Sequence, residues 1–432
     1  MGIMLDLPHD LLVYIAEKVD LFEDFVALGG VCKAWRSAAT EENFSRRPQI
    51  PWLMLAQRED SDVRGFYSLS KGMIRTVTLP EANEKRCRCL ASEGWLITAE
   101  SDWSMNLLHP LSRLQITLPH TSTLKDHDSV IYDLCIWKAV LSSSPSSSDC
   151  TVMIIQGCLL KLAFCKLGID NAWTTIETKL SMYFDVIHFN GNFYAVDGHG
   201  RVLLCDVEGA NPTIAEVVAK LPSELHTRTI EKLYLVESSG KLLVVSRKGV
   251  CVRPVDETRD VDEDDCELTY GTTSFQVFEV DLSNDGWTEV KNLGNRALFL
   301  GHNSSFSVEA SHESVKANCI YFADDCLESY YGEDDSVGGG KDMGIYNLRD
   351  GSFTPHFTEN GTTNDIMGHP LLDYVVDEKF RIDGNLVDIG GTGDAHGGHD
   401  HHQRGSEDAQ NVQEQPISSV EQSVADLITQ EV

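Results

Sequence analysis

Positive charge and long apolar runs are what this chain has least of. Its 432 residues include 67 acidic but only 35 basic side chains, a formal net charge of −32 at pH 7. Nucleic acid and anionic membranes are themselves negative, so this excess of acid argues against both as partners. No apolar run reaches the roughly 18 residues that a membrane-spanning helix needs, and the N-terminus lacks the segments of a secretory signal. We therefore expect a protein of the cytoplasm, the nucleus or both.

Motifs of catalysis and metal binding are also scarce. The 12 cysteines stand singly apart from Cys87 and Cys89, which is typical of buried thiols in a reducing compartment. No G-x-S-x-G, P-loop or G-x-G-x-x-G occurs in a functional context, and the acidic run Asp262–Asp265 lacks the spacing of a calcium loop. Four histidines could chelate a metal but sit in a Gly-rich tail that cannot orient them, so we expect only adventitious binding there: His396, His399, His401 and His402. The sequence predicts no catalytic residue, no cofactor and no functional metal site.

The first forty residues carry the period of three short helices. Pro8 suits a helix start, and apolar residues then recur three and four apart along one face. A second helix is predicted around Phe25 and ends at Gly29-Gly30, and a third carries Trp35. A unit this short cannot cover all its large apolar side chains, so we expect an apolar face that binds a partner.

The order of residues in this unit resembles the F-box. The first half reads L-P-x-D-L-L-x-x-I from Leu7 to Ile15, and the second reads V-C-K-x-W-R from Val31 to Arg36. F-boxes bind the Skp adaptor of cullin-RING ubiquitin ligases, so the resemblance implies adaptor contacts from nine residues: Leu7, Pro8, Leu11, Leu12, Ile15, Val31, Cys32, Trp35 and Arg36. The alternative is an ordinary N-terminal helical hairpin packed on the main domain.

From Trp52 onward, short β-type runs alternate with turn residues. The clearest hairpin joins Phe184–Phe189 to Asn192–Val196, because Asn190-Gly191 supplies the two positive φ angles of a type I′ turn. Further pairs are predicted at Gly65–Leu69 with Met73–Thr78, Trp95–Ala99 with Met105–Leu108, and Val130–Val140 with Val152–Leu162.

These strands repeat along the chain. Tyr194–Leu203 resembles Tyr234–Leu243 at an offset of 40 residues, and the Trp-containing segments Asn171–Ile176 and Asp285–Val290 look like the closing strand of a kelch-type blade. Repeats of about 40 to 50 residues with Gly turns are typical of β-propellers, and the length allows roughly seven blades. A large β-sandwich or two β domains are the alternatives.

A second resemblance covers most of the middle of the chain. It is similar to the plant F-box family whose C-terminal half is a kelch-like propeller of the KIB type, on these segments: His109–Arg113, Phe193–Val196, Leu293–Gly301, Ser307–Ala310, Asn318–Phe322 with Asp324-Asp325, and Met343–Leu348. The resemblance implies blade structure and a receptor role, and it names no substrate.

The predicted organisation is a small all-α F-box of three helices, residues 1–48, then an all-β kelch-like propeller, residues 52–389, then a disordered acidic tail, residues 390–432. Much of the acid lies in 256–267, 324–335 and the tail, where a solvating role is the simplest interpretation. Four apolar tail residues could form a docking helix, although a solvated end is the simpler interpretation: Val420, Val424, Leu427 and Ile428.

Taken together, these features predict a non-catalytic substrate-recognition subunit of an Skp–cullin–F-box ubiquitin ligase. Its partners would be the Skp adaptor, through it a cullin-RING ligase, and a protein target whose binding residues are unknown. One alternative is an F-box scaffold that binds Skp outside any ligase. Another is a propeller enzyme, which a deep pocket with converging polar groups would favour.

Overall fold

The computed structural model describes residues 7–19, 22–40, 43, 50–55, 61–82, 87–92, 94–100, 104–110, 113–125, 136–145, 147, 149–157, 160–177, 182–222, 230–251, 271–284, 286–324, 342–354, 373–375 and 390–391. The chain divides into two compact units, Met1–Gln49 with Phe380–Val432, and Ile50–Lys379. No described helix is long and apolar enough to cross a membrane. The acidic runs, except Asp324, and the His-rich and apolar stretches of the tail lie outside the described residues.

The first unit contains three helices, α1 (His9–Lys18), α2 (Phe22–Gly30) and α3 (Lys33–Ala38), and the two-residue strand β26 (Gly390–Gly391). Pro8 directly precedes α1 with φ −56°, which agrees with the predicted helix start. Asp10 in the first turn and Lys18 in the last complement the dipole of α1. The helices share one apolar core: Leu12, Ala16, Val19, Phe25, Leu28, Trp35, Ala38 and Ala39.

The second unit is a propeller, with six sheets among its described residues. The first blade holds β1 (Trp52–Met54), β2 (Val63–Ser68), β3 (Met73–Thr78) and β25 (Asp373–Val375). The second holds β4 (Cys87–Ser92), β5 (Trp95–Glu100), β6 (Met105–Leu108) and β7 (Gln115–Leu118). The third holds β8 (Ile136–Leu141), β9 (Thr151–Gln156), β10 (Lys161–Lys166) and β11 (Thr174–Thr175).

The remaining three blades continue in chain order. The fourth holds β12 (Tyr183–Phe189), β13 (Asn192–Asp197), β14 (Arg201–Cys205) and β15 (Ala215–Lys220). The fifth holds β16 (Ile230–Ser238), β17 (Lys241–Cys251), β18 (Ser274–Asp281) and β19 (Gly286–Glu289). The sixth holds β20 (Arg296–Leu300), β21 (Phe306–Glu309), β22 (Cys319–Phe322), β23 (Gly344–Asn347) and β24 (Phe353–Thr354).

The two ends of the propeller are joined within the first blade. Strand β25, late in the chain, pairs antiparallel with β1, with Leu53 opposite Tyr374. The inner strands β25, β4, β8, β12, β16 and β21 contact one another in succession. The pairing covers the edge of β1 that β2 leaves open, and β25 becomes the innermost strand of the first blade.

The sixth blade departs from simple antiparallel order. Its strands lie in the sequence β21, β20, β22, β23 and β24, and β20 runs parallel to β22. Strand β20 therefore turns back through residues 301–305 into the inner strand β21. That reversal places Gly301 and His302 at one end of the inner strands.

The outermost strands of the blades are the least buried. All six residues of β9 are buried, whereas outer strands β7, β15, β19 and β24 are largely exposed. The apolar clusters lie between neighbouring blades; one joins Val140 and Met153 of the third blade to Tyr183 and Phe193 of the fourth. Because each cluster is shared by two blades, a blade is stabilised by its neighbours.

The predicted class of an all-α helical unit followed by a propeller is confirmed, but the blade number is six in the described residues rather than about seven. The hairpin at Asn190-Gly191 is confirmed with φ of +48° and +82°. The pairs β2 with β3, β5 with β6 and β8 with β9 also match prediction, although residues 130–135 lie outside the described residues. The predicted domain boundaries at 48, 52 and 389 stay predictions.

The predicted repeat of strands and turns is confirmed, but the two segments that were aligned occupy different positions within their blades. The Trp-containing segments do form closing strands, β11 and β19. However, Tyr194 lies on the second strand of its blade and Tyr234 on the first strand of the next. The similar residues therefore report a shared strand–turn–strand pattern, not equivalent blade positions; first strands β4, β8, β12 and β16 begin 49, 47 and 47 residues apart.

Candidate functional site

Helix α1 presents two different apolar faces. Leu12 and Ala16 point into the core of the helical unit, with Leu12 only 2% exposed. Pro8 and Leu11, three residues apart, are exposed on another face of the helix, whereas Ile15 is half-buried and packs against the core. Leu11 on that face is 49% exposed. One face of α1 therefore packs into the core of the helical unit, and Leu11 is exposed to solvent on another face.

Two of the nine predicted contact residues are enclosed in the core of the helical unit. Leu12 and Trp35, 2% and 3% exposed, belong to the shared core of the three helices. A side chain enclosed in this way cannot reach a partner without opening the unit. Leu12 and Trp35 hold the three helices together, and their direct contact with an adaptor stays a prediction. For the other seven residues, adaptor contact stays a prediction.

The corner between α2 and α3 carries the second half of the motif. Val31 is 41% exposed, and Cys32 is half-buried at the N-cap of α3. The exposed Arg36 donates from Nε to the carbonyl of Gly29 at 3.3 Å, which satisfies an end carbonyl of α2. Asn43 donates to the carbonyl of Ala38 at 2.8 Å and does the same for α3. The bond from Arg36 to Gly29 links α3 to the end of α2, and so it holds the turn that carries Val31 in place.

Tyr14 is an exposed apolar residue that the motif did not single out. It is 44% exposed, and the Lys18 ammonium lies 5.2 Å from its ring centre. It follows Leu11 by three residues, so the helical period alone would have placed it next to the predicted face. Leu11, Tyr14 and Val31 are the large exposed apolar side chains among the described residues of the helical unit. We call these three residues the apolar triplet.

A buried ion pair joins the inner strands of three blades. The Lys138 ammonium on β8 pairs with Asp185 Oδ1 on β12, and both side chains are almost fully buried. Asp185 Oδ1 also accepts from the N–H of Val186 at 2.6 Å, and Oδ2 accepts from the N–H of Leu235 on β16 at 2.8 Å. Burial raises the pKa of the Asp185 carboxyl, although Lys138 and the two N–H donors act in the opposite direction.

A second buried cation ties the fifth blade to the sixth. Arg247 on β17 donates to Tyr234 Oη at 3.1 Å, to the carbonyl of Ala323 at 2.9 Å and to Asp342 Oδ2 at 3.0 Å. Its guanidinium lies 4.9 Å from the ring centre of Phe322. Such a planar, multiply bonded cation is a fixed structural link.

Comparison with known proteins fits both units. The F-box-like family model matches residues 4–50, and the KIB1-4 beta-propeller model matches residues 66–347, well over half of the chain. The chain belongs to the KIB1-4 beta-propeller family.

Several proteins of Arabidopsis thaliana are similar along most of their length. A putative F-box protein is 28% identical over 345 residues, covering 76% of this chain and 86% of the relative. The F-box protein SKIP23 is 26% identical, covering 80% and 89%. The F-box/kelch-repeat protein KIB1 is 26% identical, covering 75% and 78%. The names of these relatives all include the F-box, and the two family models match this chain, so the predicted resemblances are confirmed.

Proposed function

We propose that this member of the KIB1-4 family is the substrate-recognition subunit of an Skp–cullin–F-box ubiquitin ligase. The observation that carries the proposal is an F-box-like helical unit with the apolar triplet exposed, joined in one chain to a propeller. Exposed apolar side chains grouped on a small unit are typical of protein interfaces. The Skp-type adaptor is the proposed partner of this surface, and the cytoplasm, the nucleus or both is the proposed location.

In this role the protein itself neither forms nor breaks a covalent bond. The helical unit holds the adaptor and the propeller holds the target, so the target stays near the ubiquitin-charged enzyme. Tethering of this kind raises the effective concentration of the target's lysines to the millimolar range without a new catalytic group. The consequence would be ubiquitination of the target and its degradation by the proteasome.

For the alternative of a propeller enzyme, the residue to consider as a catalytic group is the buried Asp185. Both of its oxygens are already engaged, Oδ1 by Lys138 and Val186 and Oδ2 by Leu235. These three donors come from the strands of three blades, so the carboxylate serves as a structural link between the blades. Glycoside hydrolysis would require a second carboxyl group beside it, and no other carboxylate lines the adjacent cavity in the described residues.

The adaptor interface is tested by changing exposed residues only. The double variant Leu11→Glu with Val31→Glu should lose capture of the Skp adaptor by at least about 10-fold, because two apolar anchors become charged. The matched control is Ile169→Glu, which places the same change on an apolar residue of the propeller that is 65% exposed. Adaptor capture is measured by co-precipitation, and folding by circular dichroism.

The outcomes separate binding from folding. Leu12→Ala and Trp35→Ala should also reduce capture, but with loss of helical signal, because each leaves a cavity in the core of the unit. If the double Leu11 and Val31 variant captures the adaptor as well as the Ile169 control does, the proposed interface is wrong. Co-purification of cullin with the wild type separates the ligase from the scaffold alternative.

The link to degradation is tested on bound targets. Proteins found by proximity labelling under proteasome inhibition should have shorter half-lives when the wild type is overexpressed. The Leu11 and Val31 double variant should still bind them and lengthen their half-lives, because it withholds them from the ligase. A scaffold predicts no change in half-life with either protein.

A further inference from the structure

A cavity of about 190 Å³ opens at one end of the propeller's inner strands. Lys138, Asp185 and Lys232 line it, and each is the third residue of its inner strand, in β8, β12 and β16 respectively. Gly301 and His302, from the turn between β20 and β21, complete the wall. Successive lining elements lie 47 to 69 residues apart along the chain, so the arrangement of the blades brings them together.

The walls of the cavity are mainly carbon. Four aromatic rings contribute to them, and two aliphatic side chains add to the same surface: Trp137, Tyr183, Phe184 and Tyr234, with Ile155 and Leu160. Aromatic rings favour another ring in offset or edge-to-face contact. An apolar cavity of about 150 Å³ is large enough to bind benzene. The volume here therefore suits one six-membered ring with a short attachment.

The cavity has a buried floor and a partly exposed rim. Tyr183 and Tyr234 are each 1% exposed, so their rings belong to the floor. Trp137, Leu160 and Phe184 are half-buried, so they lie nearer to solvent. A ring that passes the half-buried residues therefore leaves water and contacts the buried rings, which is the transfer that stabilises apolar binding.

One wall is held in a strained conformation. Leu160 has φ +48°, a left-handed value that a branched side chain rarely adopts, and Gly157 has φ +72°. The Trp137 indole donates to the carbonyl of Gly157 at 3.0 Å, and the N–H of Tyr183 donates to the carbonyl of Leu160 at 3.0 Å. The turn is thus fixed by the same residues that line the cavity, so the pocket is pre-formed.

The charged groups at the cavity already have partners within the protein. Lys138 pairs with Asp185, and both oxygens of that carboxylate accept hydrogen bonds. The Lys232 ammonium lies 5.9 Å from the ring centre of Tyr234, and Lys232 and His302 have further interactions within the protein. These groups do not require a counter-charge from a ligand. Because moving a charge from water to a mainly carbon surface is costly, an uncharged ring is favoured over a charged one.

We propose that this cavity binds one uncharged six-membered aromatic ring. The ring contacts the buried tyrosines, and its attachment leads past the rim to solvent. The ring belongs either to a side chain of a bound protein segment or to a free small molecule, and the chemistry of recognition is the same for both. This inference goes beyond the proposed receptor function and does not depend on it, since the bound ring needs neither the adaptor nor ubiquitin transfer.

The first test compares small probes on the full-length protein by ligand-observed NMR at millimolar concentration. Phenylacetamide, which is uncharged, should bind. Phenylacetate and phenethylammonium carry a similar ring and chain with a negative or a positive charge, and each should bind at least about 5-fold more weakly because part of its charge loses water. Acetamide, which has no ring, should bind at least about 10-fold more weakly, because the buried ring supplies most of the binding free energy.

Capped pentapeptides distinguish the two sources of the ring. Gly-Ser-Phe-Ser-Gly with blocked ends should displace phenylacetamide if the cavity takes a protein side chain, and its Phe-to-Ala version should be at least about 10-fold weaker. If phenylacetamide binds and the Phe peptide does not displace it, the source is a free small molecule. Both results support the proposed site, and each identifies one source.

Variants of the wall locate the probe. Phe184→Ala should weaken phenylacetamide binding by about 5-fold or more, because one ring of the wall is removed. The matched control is Phe353→Ala, the same change on a ring of β24 that is 43% exposed and does not line the cavity. Leu160→Gly should weaken binding by a similar factor while Tm stays within about 3 °C of the wild type, because glycine adopts φ +48° without strain. A loss of binding in Leu160→Gly is therefore not a loss of folding.

Three results would overturn the proposal. The first is the absence of phenylacetamide binding at millimolar concentration. The second is phenylacetate or phenethylammonium binding as tightly as phenylacetamide or more tightly. The third is wild-type binding by both Phe184→Ala and Leu160→Gly, which would place the probe elsewhere on the protein. Skp capture by Phe184→Ala should stay at wild-type level, so failure here is distinguishable from failure of the adaptor interface.

Discussion

Replacing Lys138 by methionine should lower the stability of the propeller by about 3–5 kcal/mol near neutral pH, as is usual when one partner of a buried ion pair is removed. Methionine keeps most of the length of the side chain, so the change removes the ammonium and creates little cavity. The Asp185 carboxylate, 1% exposed, would retain only the N–H groups of Val186 and Leu235 as partners. The destabilisation comes from this uncompensated charge.

The expected shift in melting temperature follows from the size of the unit. Ile50–Lys379 spans 330 residues, and an unfolding entropy of about 2.1 cal/mol/K per residue gives about 0.7 kcal/mol/K. A loss of about 3–5 kcal/mol therefore lowers Tm by about 4–7 °C. The assay is thermal unfolding followed by tryptophan fluorescence. Lys220→Met, on the exposed Lys220 of β15, is the control and should cost less than about 0.5 kcal/mol.

The loss of stability caused by Lys138→Met should depend on pH. Burial already raises the pKa of Asp185 in the folded protein, and removing Lys138 takes away the main group that lowers it. An acid whose folded pKa exceeds its unfolded pKa destabilises the fold increasingly as pH rises from the unfolded value, about 3.9, through the folded one. The difference in Tm between variant and wild type should therefore be smaller near pH 5 than near pH 8.

A further substitution tests the cause directly. Adding Asp185→Asn to Lys138→Met removes the remaining charge and should recover at least half of the lost stability. A Tm decrease below about 1 °C near pH 8 would refute the reasoning. An equal decrease in Tm near pH 5 and near pH 8 would refute the reasoning too.

Three other residues give separate predictions. Arg247→Lys should lower propeller stability by about 2 kcal/mol or more in thermal unfolding, because an ammonium cannot replace the forked bonds to Tyr234, Ala323 and Asp342; an unchanged Tm would contradict this. Gly191→Ala should cost about 1 kcal/mol by the same assay, since φ is +82° and nothing lies within 4 Å of the new methyl group; a larger loss would indicate a steric clash instead. Burial raises the pKa of Cys205 to about 12, so native protein near pH 8 should show no alkylation of Cys205 by iodoacetamide on mass spectrometry, with denatured protein as the control.

Local features of this protein were predictable from the sequence, because they depend on neighbouring residues. The positive φ angles at Asn190 and Gly191 come from the turn residues themselves, and α1 follows from a helical period that starts at Pro8. The closing strands β11, which directly follows Trp173, and β19, which contains Trp287, were also predictable, since each pairs with a strand close by in sequence. The F-box-like unit was identifiable because its two half-motifs keep a fixed spacing.

What the tertiary structure alone decided are the relations between residues far apart in the chain. The periodicity of α1 could not say whether Leu12 or Leu11 faces the core, because the choice depends on how α2 and α3 pack against it. The phase of the blades was misjudged because every strand–turn–strand unit looks alike in sequence, and blade position depends on which strand is innermost. Lys138, Asp185 and Leu235 meet only because inner strands about one blade apart lie side by side. The pairing of β1 with β25 closes a loop of more than 300 residues, and no pattern among neighbouring residues predicts this pairing.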